Sequence, residues 1–419
     1  FVLPSFLTWY RFTYRVDNGE LKIEHGIFVK KHRYIRKERI QSIDRTETIF
    51  HRPFGLVKVK IETAGGGAKD PEAELAAVTK KEARRLEEDL YGTGEAAPSD
   101  GVQPAVKEDK WVSRRQLSTS DLLVAGATSG KIGVVFSILA AISSQIDEVL
   151  PDDFYSSLFH KLLASSFQLL AFLLLAVAIG AWILAIVGTV LRYNGFTLTR
   201  KDKELQIVSG LLERRQLTIS LHRIQAIRIV EGILRQPFGY AAVYVESAGG
   251  SGEKDEDYST VLFPLLRKEE VAAFLDEFVP GYPLHDAFVP APKRAIRPYL
   301  LWLLVPALVI SVPVAVWVPW GGFAVFLLPF AAIIGVMQYR DAGWAVSGKY
   351  RLLRFRKLSR TTVIVPRKNI QDREMRQSFF QKRNRLATYE VSVISKSAGK
   401  HFRVKHINEN EVRKLLETR

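Results

Sequence analysis

The sequence of 419 residues contains no cysteine, only two methionines and only eight histidines. The absence of cysteine excludes disulfides, cysteine-ligated zinc, iron–sulfur clusters and thiol nucleophiles. The histidines form no HExxH pair, and His401 and His406 fall on opposite faces of a predicted strand, so that strand cannot hold one metal ion between them. The sequence therefore predicts no cofactor, no bound metal and no catalytic residue, and a protein that is not an enzyme.

Charge is absent from two long stretches of the chain, Leu162–Leu191 and Pro298–Tyr339. About 20 apolar residues are enough to cross the hydrocarbon core of a bilayer. The second stretch is too long for one crossing, and Pro319-Trp320-Gly321-Gly322 interrupts it near its middle. We therefore predict a hairpin of two membrane helices, Tyr299–Val318 and Phe323–Tyr339.

Two further segments are weaker membrane candidates. Leu122–Ile142 contains three glycines and Lys131, and a lysine inside a span is costly, but pairing with Leu162–Leu191 makes a first hairpin. The opening residues 1–10, FVLPSFLTWY, look like the end of a truncated transmembrane helix. The sequence thus predicts a multi-pass protein of the cell membrane.

The charges beside the hydrophobic stretches predict an orientation. The basic flanks are Arg114, Arg115, Arg192, Lys293, Arg294, Arg297 and Arg340. The loop inside the first hairpin instead carries four acidic residues between 147 and 153. Because basic flanks stay on the cytoplasmic side, we expect the polar segments attached to them to be cytoplasmic.

The polar segments are copies of one unit. Residues 20–66 and 204–250 align without a gap at an offset of 184. Three motifs recur in both copies: Arg-Ile-Gln at 39–41 and 223–225, Pro-Phe-Gly at 53–55 and 237–239, and Ala-Gly-Gly at 64–66 and 248–250. A third, more diverged copy begins at Trp344, and in it Arg385-Leu386-Ala387 takes the place of Pro-Phe-Gly.

Each copy is predicted to be β-rich and to close with a helix. The predicted strands of the first copy are Tyr14–Val16, Glu20–His25, Phe28–Arg36, Ile40–Phe50 and Val57–Thr63, separated by glycine-containing turns. The predicted closing helices are Ala83–Leu90, Lys268–Phe278 and a last helix opened by Asn408. The fold class is therefore α+β, with small split β-barrels capped by a C-terminal helix and transmembrane hairpins between them.

This combination of motifs and hydrophobic hairpins resembles the bacterial pleckstrin-homology-like (PH-like) family 2, in particular its multi-copy members of the YdbT type. The resemblance covers essentially the whole chain and weakens in the third copy, which departs at Pro-Phe-Gly. It implies three split seven-stranded barrels held at the cytoplasmic membrane and does not imply an enzyme. It also implies a partner membrane protein of the single-copy YdbS type.

The predicted organisation follows from these boundaries. In chain order it is the end of a truncated span (1–10), PH-like module 1 (11–94), a linker (95–118), a transmembrane hairpin (119–191), module 2 (192–281), a linker (282–298), a second hairpin (299–339) and basic module 3 (340–419).

The net charge of +16 is concentrated in the third module, where residues 340–419 carry 21 basic and 7 acidic side chains. Each basic residue near an anionic leaflet contributes about 1 kcal/mol to membrane attraction. The candidate contacts to a lipid headgroup or a partner are Arg39, Gln41, Arg223, Gln225, Arg351, Arg354, Arg356, Lys357, Arg360, Arg367, Lys368, Lys382, Arg383 and Arg385. The alternative for Arg39, Gln41, Arg223 and Gln225 is a solvated strand face beside the core positions Ile40 and Ile224. The alternative for the basic residues of module 3 is an ordinary solvated surface.

Membrane lipid, chiefly anionic, is therefore the predicted ligand, and the predicted function is a membrane scaffold or a platform for lipid and protein interaction. Nucleic acid is the rival partner for a basic protein, but neither a helix-turn-helix nor an RNA-binding aromatic signature is present, so we predict none. The alternative function is a membrane component of an envelope-defence (antimicrobial resistance) or export assembly with a partner membrane protein. A second alternative is an undetected lipid-acting enzyme.

Overall fold

A computed structural model describes residues 11–17, 19–26, 29–63, 73–91, 111–130, 167–247, 259–284, 287–317, 321–394 and 399–417. Several predicted features lie outside these residues: the end of a span at 1–10, the acidic loop near 147–153, the Ala-Gly-Gly segments at 64–66 and 248–250, and residues 131–142 of the weaker span candidate.

Each polar copy folds into short antiparallel strands followed by a helix. Module 1 contains β1 (Thr13–Asp17), β2 (Glu20–His25), β3 (Lys31–Arg36), β4 (Ile40–Glu47), β5 (Leu56–Thr63), β6 (Ala73–Thr79) and α1 (Lys80–Tyr91). Module 2 contains β7 (Trp111–Gln116), β8 (Thr197–Lys201), β9 (Glu204–Ser209), β10 (Arg214–Ser220), β11 (Ile224–Glu231), β12 (Tyr240–Ser247), β13 (Thr260–Arg267) and, after β13, the module's closing helix Val271–Phe278.

Module 3 contains β14 (Val289–Pro290), β15 (Gly343–Ser347), β16 (Tyr350–Arg356), β17 (Arg360–Pro366), β18 (Ile370–Arg376), β19 (Leu386–Val393) and β20 (Lys400–Asn408). The remaining helices of the chain, numbered in order, are α2 (Thr119–Ala127), α3 (Phe167–Tyr193), α4 (Val271–Phe278, the closing helix of module 2), α5 (Ile296–Trp317), α6 (Leu327–Asp341), α7 (Phe379–Arg383) and α8 (Glu409–Glu417). The α+β fold class, with three capped β modules and apolar helices between them, is confirmed.

The sheets cross the module boundaries. One seven-stranded sheet has the order β6-β5-β4-β10-β9-β8-β7, and a second has the order β13-β12-β11-β17-β16-β15-β14. The second half of module 1 thus continues into the first half of module 2, and module 2 continues into module 3 in the same way. Two three-stranded sheets, β1-β2-β3 and β18-β19-β20, complete the two ends.

An ion pair accompanies each of these two cross-module strand pairs. At the first junction, β4 to β10, Asp44 accepts from the guanidinium of Arg215 at 2.6 Å. At the second, β11 to β17, Glu231 pairs with Arg360. Asp44 and Glu231 are 2% and 5% exposed. A carboxylate buried to this extent is stable only beside its partner, so each junction depends on residues from both modules.

The core of module 2 lies between the two long sheets. Its largest fully buried side chains include Phe196, at the start of β8, and Phe274 and Phe278 of α4. The same cluster contains Leu352 from β16 of module 3, whereas Leu353, the next residue, packs in the core of module 3. Adjacent residues of one strand therefore serve two modules, because successive side chains point to opposite faces.

Left-handed backbone at the same place in each repeat marks the shared turns. Gly26 and Gly210 have φ values of +115° and +106°, and a Cβ at either would lie 2.0 Å from a backbone oxygen. Gly55 and Gly239 of Pro-Phe-Gly, each directly before a strand, have φ values of +64° and +68°. Arg385, directly before β19, has φ +51°, so the structure aligns Arg385 with the glycine of Pro-Phe-Gly and not, as the sequence predicted, with its proline. The third copy has thus lost the glycine but kept the conformation of the turn.

Within the described residues, three helical segments are long and apolar enough to cross a membrane: Leu175–Tyr193, Lys293–Trp317 and Gly321–Asp341. The last two form the predicted second hairpin, in which Gly335 of α6 lets Leu300 of α5 approach closely. In the weaker candidate Leu122–Ile142, the structure shows only α2, which ends at Ala127 and packs on α3 through Gly126.

Both predicted linkers contain strands. Trp111–Gln116 pairs with β8, and Val289–Pro290 pairs with β15. The sequence missed them because WVSRRQ does not alternate apolar and polar residues and Val289–Pro290 is only two residues long. Strand β6, Ala73–Thr79, was missed because AELAAVT contains three alanines, which are uncommon in strands.

We expect Leu352→Ala to destabilise module 2 although Leu352 belongs to a strand of module 3. Truncating a fully buried leucine costs about 2–5 kcal/mol, and hydrogen exchange should rise in β11–β13 and α4. Leu353→Ala is the matched control, because it should raise exchange in β18–β20 instead. Identical exchange patterns in the two variants would contradict the shared core.

Candidate lipid site at the membrane face

A large cleft lies where the second membrane hairpin meets modules 2 and 3. Its volume is about 1300 Å³, well above the size of most small-ligand sites. Helices α5 and α6 provide one wall, which is apolar and includes Leu303, Ile310, Phe330 and Ile334. The opposite wall is formed by β11, β12, the β16–β17 turn and β20. The cleft therefore joins a hydrocarbon-like surface to the polar modules.

Strand β20 supplies most of the charge in this cleft. Its sequence alternates, so that Phe402 and Val404 are buried in the core while His401, Arg403 and Lys405 are exposed on the other face. Arg228 of β11, Lys357 of the β16–β17 turn and Lys400 complete the basic lining, together with the buried Arg356. No acidic side chain lines the cleft in the described residues. Its surface thus favours an anion.

Carboxylates behind the cleft hold several of these cations in place. Glu246, 1% exposed, lies 3.3 Å from Arg228 and 3.2 Å from Lys400. Glu390, 2% exposed, lies 2.9 Å from Arg403 and 3.0 Å from His401. Lys400 belongs to module 3 and Glu246 to module 2, so the cleft also bridges the second junction.

Lys357 and Lys405 are placed differently. Among the described residues, neither lysine has a carboxylate within ion-pair distance. The Lys405 ammonium lies 5.3 Å from the centre of the Trp302 ring, and Trp302 is 70% exposed on α5. The Lys357 carbonyl accepts a 2.9 Å hydrogen bond from Gln338 of α6, which fixes the turn against the helix. These two lysines are the cations of the cleft available to an anionic ligand.

Exposed aromatic side chains recur beside the membrane helices. Phe54 and Phe238 of the two Pro-Phe-Gly motifs are 77% and 70% exposed, and Phe379 and Phe380 of α7 are 75% and 76% exposed. The first turn is tied to the end of α3, because Arg52 donates to the Leu211 carbonyl and Leu211 donates to the Leu191 carbonyl. Exposed aromatics next to spans are typical of residues that enter a bilayer interface.

Three predicted contact residues cluster with the aromatics of α7. Lys382, Arg383 and Arg385 are all exposed, and the Arg385 carbonyl accepts from Arg294, at the entrance to α5. Basic and aromatic side chains on one short turn beside a span match the two parts of a lipid interface. Arg367 and Lys368 lie in the turn after β17 instead, where Lys368 is exposed.

Four predicted contacts belong to the first two modules, and two of them, Arg223 and Gln225, contact a neighbouring module. Arg223 donates to the Glu38 carbonyl of module 1, and Gln225 donates to the Arg223 carbonyl. Gln41 is 3% exposed, whereas Arg39 is exposed in the turn between β3 and β4. In the second copy, the Arg-Ile-Gln motif therefore makes contacts between modules.

The predicted basic run on β16 and β17 is largely occupied inside the protein. Arg356 lies 2.5 Å from Asp341 and also contacts Gln236, and Arg360 pairs with Glu231. Arg354 donates to the Asp341 carbonyl and lies over Phe288. Arg351 is 3% exposed, and burial lowers its pKa. Of this run, Lys357 is the exposed member.

Sequence reasoning missed the basic residues of β20 and Arg228. The signal was present, since His401, Arg403 and Lys405 alternate with apolar residues on one strand, and such a strand carries its charges on one face. The position of Arg228 in the cleft could not be predicted from its own strand, because the other walls of the cleft belong to module 3 and the second hairpin.

Comparisons with known proteins agree with this architecture. A family model described as a bacterial PH domain matches residues 1–93, 149–278 and 300–418. The UPF0699 transmembrane protein YdbT of Bacillus subtilis (strain 168) is 37% identical over 428 aligned positions, which cover 99% of this chain and 86% of the relative. No solved structure matches the chain. The predicted resemblance is confirmed.

We expect His406 to make the third module sensitive to acid. Its ring stacks edge-on against Tyr299 at 4.8 Å, and burial, with the adjacent Lys405, lowers its pKa to about 4. The pKa of His406 in the folded protein lies below its ordinary value near 6.5, so the folded protein favours the neutral ring. The contribution of neutral His406 to the free energy of unfolding is therefore complete above pH 6.5. It is lost as pH falls toward 4, by about 1.4 kcal/mol per pH unit.

The measurement is the melting temperature of the purified protein between pH 7 and pH 4.5. His406→Gln should flatten the fall in melting temperature across this window. His32→Gln, at an exposed histidine of module 1, is the control and should leave this fall in melting temperature unchanged. An equal acid sensitivity in wild type and His406→Gln would contradict the assignment.

Proposed function

Because the chain belongs to the bacterial PH domain family, we propose that it is a multi-pass membrane protein whose cytoplasmic PH-like modules bind anionic lipid and form a platform at the bilayer surface. The observation that carries this proposal is the cleft between the second hairpin and β20. It combines an apolar wall from two membrane helices with a basic wall that contains no described acidic side chain.

A phospholipid matches both walls of the cleft. Its acyl chains would lie along Leu303, Ile310 and Phe330, and its phosphate would lie near Lys357 and Lys405. Each lysine at such a surface contributes about 1 kcal/mol, and the low-dielectric wall strengthens the attraction relative to open water. The Trp302 ring, beside Lys405, belongs to the headgroup level of a bilayer, where tryptophan is enriched.

Retention of lipid by the detergent-purified full chain tests the proposal. We expect Lys357→Gln with Lys405→Gln to lower retention of phosphatidylglycerol by about thirtyfold, the equivalent of two lysines at about 1 kcal/mol each. Native mass spectrometry measures the bound lipid. The matched control is Lys203→Gln with Lys349→Gln, two exposed lysines in the turns directly before β9 and β16.

Two outcomes would contradict the lipid site. An equal loss of phosphatidylglycerol in both double variants would show that overall charge, rather than the cleft, holds the lipid. Equal retention of phosphatidylcholine and phosphatidylglycerol by the wild-type chain would show that the basic wall does not select an anion.

Labelling of introduced cysteines tests the proposed orientation, and the cysteine-free sequence provides an empty background. We expect Gly322→Cys, between the two helices of the second hairpin, to react with a membrane-impermeant thiol reagent on intact cells. Glu417→Cys, exposed on α8, should react only after lysis. The reverse pattern would overturn the cytoplasmic placement of the modules.

A further inference from the structure

The two strands at the outer ends of the module array lie at open sheet edges in the described part of the chain. Strand β3 ends the sheet β1-β2-β3, and strand β18 begins the sheet β18-β19-β20. Their counterparts in the repeat occupy sheet centres: β10 and β17 correspond to β3, while β4 and β11 correspond to β18. The same position in the repeat is therefore paired inside the array and open at its ends.

The two internal junctions have the same register. At the first junction Thr218 lies opposite Ile43, and at the second Ile364 lies opposite Ile227. In the repeat alignment Thr218 and Ile364 are equivalent positions, and so are Ile43 and Ile227. One geometry is thus used twice, and it defines the register that a third such junction would adopt: Tyr34 opposite Arg373, and Arg33 opposite Glu374.

Exposure distinguishes the open strands from the paired ones. In β10 and β17 four and six of seven residues are buried, whereas β3 buries only Ile35. In β4 and β11 six and five of eight residues are buried, whereas β18 buries none. The strands have the same place in the module, so the difference reflects the missing neighbour.

The charges needed for a junction are present on the open strands. Lys31 stands in the repeat where Arg215 stands, and Glu374 stands where Asp44 stands. Arg215 and Asp44 form the 2.6 Å ion pair of the first junction. A pairing of β3 with β18 in the common register would place Lys31 and Glu374 in the same diagonal relation.

We propose that β3 of one copy of this chain adds to β18 of a second copy, forming a third junction between molecules in the register of the two internal junctions. Both complementary edges and both members of the ion pair are on one chain, which favours a second copy as the partner. Because the contact joins two different surfaces, it is heterologous and repeats from copy to copy. Strand addition satisfies backbone groups that an open edge leaves unpaired.

Disulfide trapping between two differently tagged copies tests this contact in native membranes. One copy carries Arg33→Cys and the other carries Glu374→Cys, and copper phenanthroline drives the oxidation. We expect a disulfide-linked dimer that contains both tags. Tyr34→Cys in place of Arg33→Cys is the register control, because a shift of one residue turns the side chain to the other face, and its yield should be about tenfold lower.

A charge exchange tests the ion pair separately. This test uses His32→Cys in one copy and Met375→Cys in the other, because the common register places these residues opposite each other and both Lys31 and Glu374 stay in place. Adding Lys31→Glu to the first copy should lower the dimer yield by about tenfold, because it faces Glu374 with a like charge. Glu374→Lys in the second copy should then restore the yield.

Four results would overturn the proposal. They are the absence of a two-tag dimer, equal yields from the Arg33 and Tyr34 positions, failure of the charge exchange to restore the yield, and cross-linking of Glu374→Cys only to a different, smaller membrane protein. The last result would assign the open edge to a single-module partner.

Discussion

The pairing of strands across module boundaries is the constraint on which the rest of the structure depends. Strands β4 and β10, and strands β11 and β17, are the central pairs of the two long sheets. Separation of the modules would expose these edges and leave the carboxylates of Asp44 and Glu231 without their arginines. Because an unpaired buried charge is very costly, the three modules behave as one body rather than as independent domains on linkers.

This body determines what the large positive charge of the third module can do. Arg356 and Arg360 are used to neutralise Asp341 and Glu231 within the protein. The charge that remains for an external anion lies on Lys405 of β20, on Lys357 and on the turn around α7. Net charge therefore overstates the attraction of this module to a membrane, and the position of each basic side chain decides its contribution.

The sequence predicted the repeats, the strand-rich modules, their closing helices and the second membrane hairpin, because each leaves a local pattern. It did not predict the pairing between modules. Alternation in a strand shows which face is buried, but not which strand lies beside it. The basic run at 351–360 was misleading for the same reason, since the partner of Arg360 is Glu231, 129 residues earlier. The β20 cations were recoverable from alternation, whereas Arg228 required the junction.

The cleft and the second junction share residues, so a ligand in the cleft would contact both modules. Arg228 and Tyr244 enter the cleft from module 2, while Lys400 and Arg403 enter it from module 3. Lys400 pairs with Glu246 across the boundary. A lipid that binds only when these walls are together stabilises the joined state in proportion to its occupancy. Lipid in the cleft would therefore strengthen the contact between modules 2 and 3, and the membrane would act on the protein as a ligand as well as a solvent.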